Sequence, residues 1–340
     1  MKGWSLTALV IGLACLLVAA VLLSLAAGAV HVPLRGLLAA LAGRHPLSDT
    51  DHVILLDIRL PRVLASAIVG AALACAGLLF QGLFRNPMAD PYVIGSSGGA
   101  VVGAGIGILY FSQVAYLGFS ATALLAFAGS VLTMLLVYAL ARGTGGTNIV
   151  ALLLAGFAVS TMLSNSTYLF EVLDPDPARA SAILESWLRG SVGTPEWSQL
   201  AITAVLCATA GLAAFPLMRR LNTLALGDDY AHQLGVPVER TRVGIILVGS
   251  LLTAVAVSLG GLIGFAGLIV PHAARMILGP DHVRLLPVTA LAGAIFLVLA
   301  DTLARTLFAP KEVPVGILMV LIGGPFFLYL LRKSKREYAL

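Results

Sequence analysis

The sequence predicts an all-α, polytopic membrane protein with about ten transmembrane helices, and three observations carry this. Of 340 residues, 59% are hydrophobic and only 11% are charged, with a mean hydropathy of +0.99. A soluble domain carries about 25% charged residues, which is what a water-facing surface needs. Apolar runs long enough to cross a bilayer, about 20 residues each, recur from end to end. These runs are rich in Leu and Ala and do not alternate. Only helices and closed barrels satisfy the backbone in hydrocarbon, so helices follow.

In order, the expected spans are 4–29, 61–83, 92–112, 118–141, 149–170, 197–218, 241–258, 260–277, 286–307 and 314–331. The first follows Lys2 and is longer than the 7–15 residues of a signal-peptide core, so it is expected to be a retained helix. The seventh and eighth are the least clearly divided, because Val243 to Ile277 is almost one apolar run, broken by glycines and Pro271. With both termini inside, thirteen of the 21 Lys and Arg fall on the cytoplasmic side, including the basic tail Arg332–Arg336. This bias orients the chain and accounts for the net charge of +5 without nucleic acid.

Cys15, Cys75 and Cys207 sit apart in apolar runs, without metal-ligand or disulfide spacing, and read as small core residues. Gly95/Gly99, Gly103/Gly107 and Gly260/Gly264 have the small-xxx-small spacing that lets helix backbones approach. Gly95–Gly99 and Gly260–Gly267 also admit a second reading, as helix breaks facing a cavity.

Two loops have internal structure. In 219–240, Thr223 is expected to cap a short helix ended by Gly227, and Asp228 or Asp229 a second one stopped at Gly235. Together they make a cytoplasmic docking knob. On the outer side, Asp174-Pro175-Asp176-Pro177 forces turns. A helix over about 178–189 follows, its apolar face Ile183, Leu184, Trp187 and Leu188. It either lines a vestibule or anchors at the interface.

Arg59 and Arg62 flank Pro61 at the outer start of the second span, and Arg305 ends the ninth. Guanidinium groups suit carboxylates, so these arginines either grip an acidic partner or pair locally. For Arg305 the local partner is Asp301, four residues earlier. His272 reads as structural, since its segment holds no acidic neighbour.

No Gly-Lys dipeptide occurs, which excludes a phosphate-binding loop of the G-x-x-x-x-G-K-[ST] type. The spans also lack the chain of buried Asp, Glu or Lys that an ion-driven carrier would often show. A permease with neither device needs an outside motor. The alternatives are an ion-gradient-driven secondary transporter and a membrane enzyme, the latter disfavoured because the six histidines are scattered.

Several segments, in order over nearly the whole chain, resemble the FecCD family, the permease subunits of type II ABC importers. They are Arg59-Leu60-Pro61-Arg62, Gly77–Pro91, Gly95–Ala100, Asn222–Gly235, Gly260–Arg275, Ala300–Arg305 and Val313-Pro314-Val315-Gly316. The resemblance implies the type II ABC importer permease fold in a single transmembrane domain, and transport of a ferric siderophore, haem or cobalamin. The implied partners are a second copy of the chain, two copies of a cytoplasmic ATPase that carries the ATP and Mg, and a periplasmic or lipoprotein substrate-binding protein. No cofactor or metal is expected on this chain.

The resemblance also assigns residues. Leu224, Leu226, Gly227, Asp228, Ala231, Leu234 and Gly235 would dock the ATPase. Arg59, Arg62 and Arg305 would meet the binding protein. Asn86 and Met88, with Gly145 and Thr147 in a second loop, would form the cytoplasmic gate.

Overall fold

The computed structural model describes residues 5–28, 49–143 and 146–337. Each predicted span corresponds to a helix. In chain order these are α1 (Leu6–Ala26), α2 (Leu60–Leu83), α3 (Ser96–Tyr110), α4 (Ala121–Ala141), α5 (Ile149–Leu173), α7 (Trp197–Leu224), α9 (Val238–Gly260), α10 (Ala266–Leu278), α11 (His282–Thr306) and α12 (Val315–Glu337). Between them lie α6 (Pro177–Leu188) and α8 (Asp228–Gln233). Among the described residues, seven helices are long and apolar enough to cross a membrane, and α3, α10 and the apolar part of α12 are shorter.

The most enclosed helix is α2, with α9, α11, α10 and α7 packed around it. Where it carries glycine, neighbouring backbones come into contact. Gly70 meets Gly293 of α11, and Gly77 meets Gly267 of α10. The same device joins α3 to α4, where Gly99, Gly103 and Gly107 press on the backbones of Gly129, Leu125 and Thr122. Spacing of four residues puts all three on one helical face. Helix packing is therefore the role of that glycine series.

Gly95 and Gly261 instead mark breaks. Gly95, at φ 88°, separates α3 from a 3-10 turn over Pro91–Ile94. Gly261, at φ 65°, ends α9, and α10 begins only at Ala266 after Phe265 at φ 67°. These two irregular segments meet inside the bundle. The Tyr92 hydroxyl bonds both backbone groups of Ile263, and Pro91 packs on Gly267. Side chains of the first break thus supply partners for the second's freed backbone groups, which is what irregular backbone at membrane depth requires.

Two details of the docking loop differ from expectation. The first short helix does not exist separately, because α7 runs unbroken to Leu224 and the Thr223 hydroxyl donates to Arg219 O within it. Neither aspartate caps α8: Gly227 holds that position, with Asp228 and Asp229 in the first turn. On the opposite end, α6 begins with Asp176 accepting from the Arg179 amide at 3.2 Å. Its Ile183, Ser186 and Trp187 line a cavity of about 580 Å³ closed by Ser258–Gly261 at the end of α9, which favours the vestibule reading.

Candidate functional site

Charged side chains gather at the two ends of the bundle. At the end that the charge bias assigns to the outside, Asp301 of α11 is buried at 1% exposure and accepts from two arginines. These are Arg62 of α2 and Arg305 of its own helix, both at 3.1 Å. Arg62 also holds Glu312, which is exposed, at 2.7 Å. Arg305 donates to the Ser24 hydroxyl, and Arg59, likewise buried, donates to the Leu25 carbonyl at 2.7 Å.

The three arginines therefore tie the ends of α1, α2 and α11 to one another. Of the two readings left open for these arginines, local pairing describes Arg305, which bonds Asp301, and Arg59 is likewise enclosed within this chain. A π-helical turn over Val53–Arg59 leads into α2 and turns Arg59 inward, which no sequence pattern announced.

At the opposite end stands the loop between α7 and α9. Ala231 is wholly enclosed and Leu224 buried, so these two fasten the segment to the bundle rather than face outward. Leu226, Tyr230 and Leu234 do the reverse, at 65%, 64% and 67% exposure. Tyr230 and Leu234, four residues apart, share one side of α8, and Leu226 precedes them across the Gly227 turn. Gly227 and Gly235, at φ 120° and 78°, make the turns that enter and leave α8. Three large apolar side chains exposed together at a polar end mark a contact surface.

Both predicted gate loops lie beside this segment. In the first, Asn86 is exposed and its Oδ1 accepts from the Met88 amide at 2.9 Å. Arg85, just before it, pairs with Asp228 at 2.7 Å. In the second, two short strands, β1 (Arg142–Gly143) and β2 (Gly146–Thr147), pair antiparallel. Gly145 lies outside the described residues. The Thr147 amide donates to Glu239 at 2.9 Å, and its carbonyl accepts from Arg242 at 2.9 Å. Arg242 also bonds the second oxygen of Asp228. Asp228 thus faces the gate loops and not the outer side of the segment.

The sequence reading missed Arg85, Arg242 and Glu239 as members of this site and counted the arginines only for topology. Their signal was that charges are rare here, and these sit next to predicted gate and docking residues.

Nearby, the Asn222 amide donates to Asp281 at 2.7 Å and fixes the start of α11. That hydrogen bond is the first cause holding the Asp281 carboxyl below its ordinary range. Asp90, half-buried, accepts from the Tyr92 amide at 2.9 Å and from the Phe265 amide, which ties the two helix breaks together. Among the described residues, no group of three or more His, Cys, Asp or Glu is arranged to hold a metal ion.

The model of the FecCD transport family matches residues 16–333. The chain belongs to this family. Three relatives illustrate the range of FecCD proteins it is similar to. It is 40% identical to the hemin transport system permease protein HmuU of Yersinia pestis, over 85% of this chain and 86% of that one. It is 44% identical to the cobalamin import system permease protein BtuC of Halobacterium salinarum, over 84% and 74%. It is 39% identical to the Fe(3+) dicitrate transport system permease protein FecD of Escherichia coli, over 96% and 99%. A solved structure described as an inward-facing metal-chelate type ABC transporter shares the fold, with TM-score 0.81 and 33% identity over 97% of this chain and 100% of that one. This FecCD-family chain is thus a multi-pass membrane protein of a transport family.

Proposed function

We propose that this chain is the permease of an ATP-driven importer that carries a metal chelate of the haem, corrinoid or ferric-siderophore class into the cell. The observation that carries the ATP-driven part is the exposed face of Leu226, Tyr230 and Leu234. It lies at the polar end of the bundle, away from the apolar helix surfaces, so lipid does not cover it. A cytoplasmic ATPase with an apolar cleft is the occupant we assign to it. ATP and Mg belong to that subunit. The chelate classes come from the names of the relatives.

The pathway in this reading lies between two copies of the chain. Two helices with exposed apolar sides support this. One side of α5 exposes Leu154, Phe157, Met162 and Leu169, and α12 exposes Val320, Leu321 and Leu328. At the outer end, Arg62 is the arginine open to exchange. Its partner Glu312 is exposed, so a carboxylate on a chelate-binding protein can take that place. Arg59 and Arg305 hold the helices and keep that face in shape.

Movement of the ATPases on nucleotide binding displaces the α8 segment. The loops carrying Asn86, Met88, Gly145 and Thr147 open or close the inner end. Partners with unequal affinity for the two conformations drive the cycle.

Replacing Leu226 and Leu234 with Asp tests the docking face. Both side chains are exposed, so the fold should persist while co-purification of the cognate ATPase is lost. Undiminished co-purification would sink the docking claim.

A further inference from the structure

Asp228 sits in the first turn of α8, and its two oxygens go to Arg85 in the first inner loop and to Arg242 of α9. Oδ1 takes Arg85, the residue before gate residue Asn86, at 2.7 Å. Oδ2 takes Arg242, which at the same time holds the Thr147 carbonyl of the second loop at 2.9 Å. Glu239, one helical turn before Arg242, completes the clasp by accepting from the Thr147 amide and hydroxyl. One carboxylate on α8 is thus bonded to one loop directly and to the other through a single arginine.

Backbone geometry supports a purpose for this. Arg85 adopts φ 50°, a left-handed conformation uncommon for a residue with a side chain. Such strain persists where the surroundings demand it. The Arg85–Asp228 pair is about half exposed on both sides, and pairs of that kind add little to stability. What the fork supplies is direction: it makes the two loops follow one element.

We propose that Asp228 is a positioning residue that relays movement of the α8 segment to both inner loops, with Arg85 and Arg242 as its two receivers. The relay rests on the reading that this segment seats an ATPase. The two arms are separable, because each arginine serves one loop.

The test uses the full chain with its cognate ATPase in liposomes, with Cys15, Cys75 and Cys207 replaced and one nitroxide label at a time. The label is placed at Met88→Cys in the first loop or Gly143→Cys in the second, and the spectrum is compared without and with ATP and vanadate. No cargo is needed.

Arg85→Gln should lose the nucleotide response at position 88 and keep it at 143. Arg242→Gln should show the opposite pattern. Arg85→Lys and Arg242→Lys should restore the lost response, since a charge-assisted contact is re-formed. Responses at both labels that survive both glutamine variants unchanged would overturn the relay. A parent chain that binds no ATPase would instead remove the docking reading on which the relay depends.

Discussion

A Cβ built on Gly77 would lie 1.8 Å from the Gly267 carbonyl oxygen, so α2 and α10 touch through backbone alone. The obstacle is main chain and cannot swing aside. Gly77→Leu should therefore push the helices apart at about 1–3 kcal/mol or more, seen as a lower Tm of the detergent-solubilised protein. An unchanged Tm would mean that the helices are not in contact there. This contact could not be read in the sequence, which shows small residues at Gly77 and Gly267 but not that they face each other.

Among elements, the outer arginine cluster shows how local logic and long-range structure divide. The Asp301–Arg305 pair was legible from their spacing of four residues. The Arg62 contacts were not, since Asp301 and Glu312 lie 239 and 250 residues away. Nothing short of the fold brings α2 and α11 together.

Asp301→Ala would leave Arg62 and Arg305 without their shared buried acid. Breaking a buried pair from one side costs about 3–5 kcal/mol. Expression and Tm should both drop sharply, with Asp301→Glu recovering part of the loss. An alanine variant as stable as the native chain would mean that the cluster is solvated.

The helix breaks were half legible for a similar reason. Glycines marked where α3 and α9 are interrupted, but the sequence does not show that Tyr92 reaches Ile263 between them. Likewise the start and stop signals around 222–235 announced a structured segment. They could not say that Ala231 turns in while Leu226 and Leu234 turn out, because burial there depends on the helix ends against which the segment rests.

For the whole molecule, composition was sufficient for the helical membrane class, and ordered motifs were sufficient for the family. The inner end is where the two levels join: an exposed apolar face for a partner, and behind it a carboxylate fork to both loops. Transport in this account needs the motor that face receives.

The most direct measurement is uptake into liposomes containing this chain, with the cognate binding protein outside and haem, cobalamin and ferric siderophores tried as cargo. Uptake of one of them should require both the ATPase and ATP, and should vanish in the Leu226→Asp, Leu234→Asp variant. Uptake by the chain alone, driven by a proton or sodium gradient without an ATPase, would contradict the account.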